Sequence, residues 1–199
     1  MNKIFRCLTL LIAAVFGCIP VLPAQSQERQ LADIGRLFSN DFLGDGQDRW
    51  HTTSYVVSVT QTAAADGDAF ADFSGRLEHR LRSEVIAPAN LATPSAGDRP
   101  YAGVLSYGIH SHAQVGDVQN RVGMDVVALG PQTGVGQLHS WVHDKLNTAG
   151  PDLTTQLPNA IYPTLSGEVT RLVPLGAIKL RPFAEAQYGV ETYARVGAD

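Results

Sequence analysis

Beyond Cys18 the chain contains no cysteine. Cys7 and Cys18 both fall in an N-terminal stretch that reads as a leader, so the exported part has no disulfide, no thiol and no Cys metal site. Long apolar runs are missing as well. After the leader, none approaches the roughly 20 residues that a spanning helix needs, so residence in a membrane would have to use strands. Basic charge is also scarce. The 199 residues carry a formal charge of −4, and losing Lys3 and Arg6 with the leader lowers it by two, to −6. Nothing basic enough to hold nucleic acid remains.

What is present begins with "MNKIFRCLTLLIAAVFGCIPVLPAQSQ". Lys3 and Arg6 precede an apolar run from Leu8 to Val15, and small and turn-forming residues follow. That order is a secretory signal peptide, placed at 1–24 with cleavage after Ala24. A lipoprotein site acylated at Cys18 competes, but Phe16 suits it poorly. The remaining 25–199 has the length of one domain.

Within it, "RLEHRLRSEVI" alternates without a break: Leu77, His79, Leu81, Ser83 and Val85 interleave with Arg76, Glu78, Arg80, Arg82 and Glu84. One face of such a strand is mostly apolar and the other fully charged. Five further segments, Thr53–Gln61, Tyr101–His112, Arg121–Leu129, Thr164–Val173 and Ile178–Val190, have about the nine to eleven residues that cross a membrane as a tilted strand. Several carry a charge beside apolar neighbours, at Arg121, Asp125, Glu168, Arg171, Arg181 and Glu185. An unpaired charge is very costly in a dry sandwich core but ordinary in a polar lumen, so the pattern favours an all-β, antiparallel transmembrane barrel over a soluble sheet. Connections rich in Gly, Pro and Ala and of unequal length fit the same reading. Two segments look helical: Gln30–Phe38, and Val135–Leu146 in a loop, where Leu138, Trp141, Val142 and Leu146 could form an apolar face.

Three polar clusters could carry chemistry. "SNDFLGDGQDRWHTT" crowds Asn40, Asp41, Asp45, Asp48, His51, Thr52 and Thr53 ahead of a strand, as a hard cation's oxygen ligands would require, although the spacing is not that of an EF-hand. As a bare motif this is weak, and composition alone favours a solvated Asp/Gly turn. "GDRPYAG" offers Asp98 and Arg99 as a pair across a turn, with Tyr101 opening a strand at the membrane interface. "GQLHSWVHDKL" sets His139 and His143 four apart on one helix face. Such a pair can hold zinc, but Ser140 stands where metalloproteases have Glu, and no third ligand is obvious. One histidine as a general base is the other chemical reading, and surface histidines the bland one.

In this order, "NDF" with "DRWHTT", then "DRPYAG", then "LGP…GQ…VH" and strands, the clusters resemble the lipid A 3′-O-deacylase (LpxR-type) family of outer-membrane enzymes, from about Ser39 to the end. The resemblance implies a barrel of about twelve strands with its site between the wall and a short loop helix near 135–146. It implies calcium-dependent hydrolysis of the 3′-linked acyloxyacyl ester of lipid A, in the outer membrane of a Gram-negative bacterium, by a monomer surrounded by outer-membrane lipids. Asn40, Asp41, Thr52 and His143 fall on the family's catalytic positions, with His143 as base. Gln137 and His139 are left to position substrate, and Asp41 and Asp48 to hold calcium. The chain departs from the family in having His139 for a glutamine, "WHTTS" for an aromatic-aromatic-Thr-Asn-Gly run, and no lysine that can be placed near the site.

About six strands fall short of the eight that closure needs, so the chain reads as roughly the first half of the barrel, truncated at its C-terminus. A non-catalytic barrel, an inactive fragment and a soluble periplasmic β-protein are the competing readings.

Overall fold

The computed structural model describes residues 29–41, 49–63, 75–176 and 178–199; the expected signal peptide and Asp48 lie outside the described residues. The strands are β1 (Arg29–Asn40), β2 (Trp50–Ala63), β3 (Arg76–Ala87), β4 (Ala102–Val115), β5 (Val118–Leu129), β6 (Ala160–Arg171), β7 (Val173–Leu175), β8 (Ile178–Leu180), β9 (Pro182–Tyr188) and β10 (Tyr193–Ala198). One helix, α1 (Val135–Leu146), lies between β5 and β6. Eight strands form one antiparallel sheet in the order β1-β2-β3-β4-β5-β6-β9-β10, and β7 with β8 makes a separate hairpin. Each strand pairs with the next in sequence, apart from the hairpin, as in an up-and-down wall whose described edges are β1 and β10. No described helix is long and apolar enough to cross a membrane.

The two faces of the wall follow from the alternation. On the outer face Tyr55, Leu81, Tyr107, Ile109, Met124, Val126 and Leu165 are all substantially exposed, a band that a soluble sheet would bury. On the inner face charges meet within and across strands. Glu78 Oε1 accepts from the Arg80 guanidinium at 2.9 Å and Glu78 Oε2 lies 2.9 Å from His112 Nε2, while Arg121 bonds Glu168 at 2.5 Å and Arg195 bonds Glu185 at 2.8 Å. Gly108 and Gly123 make room for this layer, because a Cβ at Gly108 would strike the Asp125 carboxylate and one at Gly123 the His110 ring. A cavity of about 880 Å³ runs along the inner face past Glu78, Arg80, Glu84, Asp125 and Arg195.

Three expectations need correction. Gln30–Phe38 is strand, not helix: a bulge between Leu31 and Asp33 puts Leu31 (opposite Gln61) and Ile34 (opposite Val59) on the same outer face. Apolar residues three apart therefore imitate a helical period. Ile178–Val190 is broken at Arg181, after which β9 begins at Pro182, and the eight-stranded sheet gains β1 and β10 over the six strands expected. Arg171 does not line the lumen: it alternates with the inward Thr170 and bonds Asp117 at the turn. Arg181 keeps the parity of Glu185 but lies at the end of the β9–β10 ladder, where it bonds Asp199.

Candidate active site

The β1–β2 end is organised around one carboxylate. Asp41 follows the last residue of β1; its Oδ1 accepts from Thr52 Oγ1 at 2.7 Å and its Oδ2 from the Arg49 N–H at 2.8 Å. Its own N–H donates to the Thr52 carbonyl at 3.1 Å. Thr52 is fully buried and sits at a bulge, where the register slips between His51 and Thr53. Trp50 enters β2 at a φ of 58°, a left-handed conformation that bulky residues rarely adopt. Such strain persists where surroundings over-determine the backbone, and here it presents the Arg49 N–H to Asp41. Asn40 Nδ2 donates to Thr53 Oγ1 at 2.8 Å, which fixes the amide and directs its carbonyl elsewhere. On the inner side, His51 Nδ1 lies 2.5 Å from Glu84, and Glu84 also bonds Arg82 at 2.6 Å.

Helix α1 supplies the second half. It starts after Gly134, which takes the left-handed conformation, and stops at Asn147, also left-handed, whose N–H turns back to the last carbonyls. Val135, Gly136 and His139 are its buried residues, and His143 is half-buried. His139 Nδ1 lies 3.1 Å from the hydroxyl of Tyr101, and its Nε2 lies 3.1 Å from His143 Nε2, the rings meeting edge to face. Thr148 Oγ1 is 3.0 Å from His143 Nδ1. Both histidines are thus oriented by hydroxyls on Nδ1 while their Nε2 atoms face each other. Gln137 is exposed on another side of the helix.

Strand register brings the two halves onto one surface. Asn40 is opposite Thr53, Thr53 opposite Val85, and Val85 opposite Gly103, so these four form one row across the outer face. Helix α1 is seated on that row: a Cβ at Gly103 would lie 3.0 Å from the Val135 Cβ and 3.3 Å from the Gly136 N–H nitrogen. Val85, Ala87, Leu91, Tyr101 and Val135 make the hydrophobic cluster beneath it, with Leu153 against them. Neighbouring strands are about 4.8 Å apart, so Asn40 and Thr53 begin one to two strands from the ground that the helix covers. The Asn–Asp hairpin end and the histidine face of α1 therefore share the outer wall, with the histidines turned toward it.

Two readings of "DRPYAG" change. Tyr101 is fully buried under α1 and does not face outward as a girdle residue, because the helix roofs it and His139 satisfies its hydroxyl. Asp98 caps backbone, accepting from the N–H of Ala89 and of Arg99 at 2.7 Å each, so its carboxylate is occupied by the main chain and not by the Arg99 guanidinium. The roles of Tyr101 and Thr148 were hidden in the sequence, since Tyr101 lies 38 residues from His139 and only the fold brings them together.

For a cation, the donors at the hairpin end are the Asp41 carboxylate, the Asn40 amide carbonyl and backbone carbonyls, with no thiolate among them. Oxygen donors of this kind fit calcium in type. Among the described residues no group of three or more His, Cys, Asp or Glu could hold a metal, so calcium would need further oxygens from elsewhere.

The family described as Outer membrane protein LpxR matches residues 10–198. Among solved structures, LpxR from Salmonella typhimurium superposes with a TM-score of 0.68 at 18% identity, over 83% of this chain and 61% of that one. The chain thus spans about three-fifths of the length of that structure, and the likeness establishes a shared barrel fold. No curated protein matches the sequence.

Proposed function

The chain belongs to the LpxR family of outer membrane proteins, and we propose from this membership and its site that it hydrolyses the 3′-linked acyloxyacyl ester of lipid A, with His143 as general base. The observation that supports the reading is the shared outer-face row, which runs from Asn40 through Thr53 and Val85 to Gly103, where α1 is seated with His139 buried.

The chain of partners allows two sets of proton positions, and the catalytic reading uses one of them. If Tyr101 O–H donates to His139 Nδ1, the His139 proton is on Nε2 and points at His143 Nε2; His143 then carries its own proton on Nδ1, toward Thr148 Oγ1. His143 Nε2 is the basic atom in this arrangement. A water that displaces the His139 N–H from it loses a proton to Nε2 as it attacks the ester carbonyl carbon. The imidazolium then returns that proton to the departing sugar alkoxide, so the products are the acyloxyacyl fatty acid and lipid A with a free 3′-hydroxyl. Tyr101 serves either tautomer of His139, because a hydroxyl donates or accepts, and this keeps the pair oriented through the cycle.

Asn40 and Asp41 would hold calcium if it binds here, with Asp48 as the further ligand expected from sequence. Bound calcium would polarise the ester carbonyl and offset charge on the oxyanion. Thr52 keeps the Asp41 carboxylate in place, and His139 positions His143.

The test is His143→Ala in cells that carry lipid A with the 3′ chain. Loss of the deacylated species from the lipid A mass spectrum is expected, with the barrel still in the outer membrane. Unchanged lipid A in cells expressing the unsubstituted chain would instead favour a non-catalytic barrel.

A further inference from the structure

Helix α1 is amphipathic in the opposite sense to a helix on a soluble protein. Its histidine side is buried against the wall, whereas Leu138, Trp141 and Leu146 are 60%, 55% and 68% exposed, with Val142 beside them. Positions 138, 141, 142 and 146 form a single stripe, so the exposure is one continuous apolar face.

The occupant of that face is indicated by what it adjoins. α1 sits on the outward rows of Tyr101 and Gly103, and four residues further along β4, about 13 Å away, Tyr107 opens the exposed apolar band of the outer wall. The two longest connections, 88–101 and 130–159, leave this end of the sheet, whereas the opposite end has the two-residue turn Gly116–Asp117 and the shorter connections 64–75 and 172–181. That asymmetry marks the helix end as the cell-surface end of a barrel, hence the outer leaflet. Lys145 places its ammonium 6.0 Å from the centre of the Trp141 ring, and an aromatic ring with a long cationic side chain is the pairing that anchors segments at a bilayer interface.

We propose that α1 is an interfacial anchor whose apolar face lies among the acyl chains of the outer leaflet. The proposal depends on the outer-membrane wall and not on the hydrolytic reading.

Trp50 and Trp141 are the only tryptophans, so Trp141 can be read alone. The full chain with Trp50→Phe is folded into phosphatidylcholine vesicles whose chains are brominated near the headgroup or near the methyl end. Bromines near the headgroup should remove roughly half or more of the emission, as for an indole about 5–10 Å into the boundary, while aqueous iodide removes little. If Trp50→Phe does not fold, the difference between the unsubstituted chain and Trp141→Phe gives the same quantity. Strong iodide quenching with no bromine effect would place the face in water. Insensitivity to both would place it against protein, such as a second copy. Either result overturns the proposal, and neither depends on whether lipid A is hydrolysed.

Discussion

Thr52→Val isolates one hydrogen bond at the site. Thr52 is fully buried, and its hydroxyl donates at 2.7 Å to Asp41 Oδ1. Valine has nearly the same shape, so the change opens no cavity and removes only the donor. A hydrogen bond to an ionised acceptor contributes about 1.5–3 kcal/mol. Oδ2 keeps the Arg49 N–H, so the carboxylate stays in the hairpin but becomes free to rotate about that single anchor. If its orientation matters in the transition state, the loss corresponds to a fall in kcat/KM of about ten- to a hundredfold, at about 1.36 kcal/mol per tenfold. Thr52→Ser retains the donor and should stay close to the parent rate. The assay is the initial rate of fatty-acid release from lipid A in detergent micelles, with folding followed by the heat-dependent gel mobility of the barrel. A folded Thr52→Val at full rate would refute the role given to this bond, as would a Thr52→Ser variant equally impaired.

Substituting His143→Gln should cost about 10²–10⁴ in kcat with KM little changed, measured in the same assay, because it removes a proton acceptor and not a binding group. Tyr101→Phe removes a hydrogen bond of about 0.5–1.5 kcal/mol to His139; it should lower kcat several-fold and alter the pH–rate profile, which a purely structural role would leave in place. Gly123→Ala should destabilise the wall by about 1–3 kcal/mol in denaturant unfolding, since the new methyl must displace the His110 ring from the inner layer. Asp152, which accepts from the Thr154 hydroxyl and N–H, is held below its ordinary value of 3.8. A depressed carboxylate stabilises the folded form above its unfolded value and loses that contribution as pH falls, so Thr154 amide protection should drop on acidification in the parent but not in Asp152→Asn.

The sheet was legible wherever alternation ran unbroken. "RLEHRLRSEVI" gives β3 with Glu78, Arg80, Arg82 and Glu84 inward, as found. β1 was missed because its bulge puts Leu31 and Ile34, three residues apart, on one face, and a periodicity count has no means of seeing a register slip. At the site, the residue types of Asn40, Asp41, Thr52 and His143 could be chosen from the sequence and the family resemblance, but their relation could not. The row from Asn40 to Gly103 depends on three strand registers, and His139 reads as a bystander until Tyr101 is brought to its Nδ1. The sense of α1 was equally hidden. Its pattern defines an apolar stripe, but only the outward position of the wall's own apolar band decides that this stripe points away from the protein.

The two faces of the wall divide the work, and this bears on why the site is outside. The inner face has already matched its charges: Glu78 with Arg80 and His112, Arg121 with Glu168, Glu185 with Arg195. Opening that layer for catalysis would leave charges buried without partners, at a large cost. An ester of a membrane lipid lies beyond the outer face, where polar groups are normally penalised by hydrocarbon. Asn40 and Thr53 reduce that penalty by bonding each other, Asp41 by taking Thr52 and Arg49, and the histidines by turning under a helix that exposes Leu138, Trp141 and Leu146. The helix therefore does more than carry His143: it roofs a polar strip on a lipid-facing wall, which is what would allow the proposed catalytic groups to stand there.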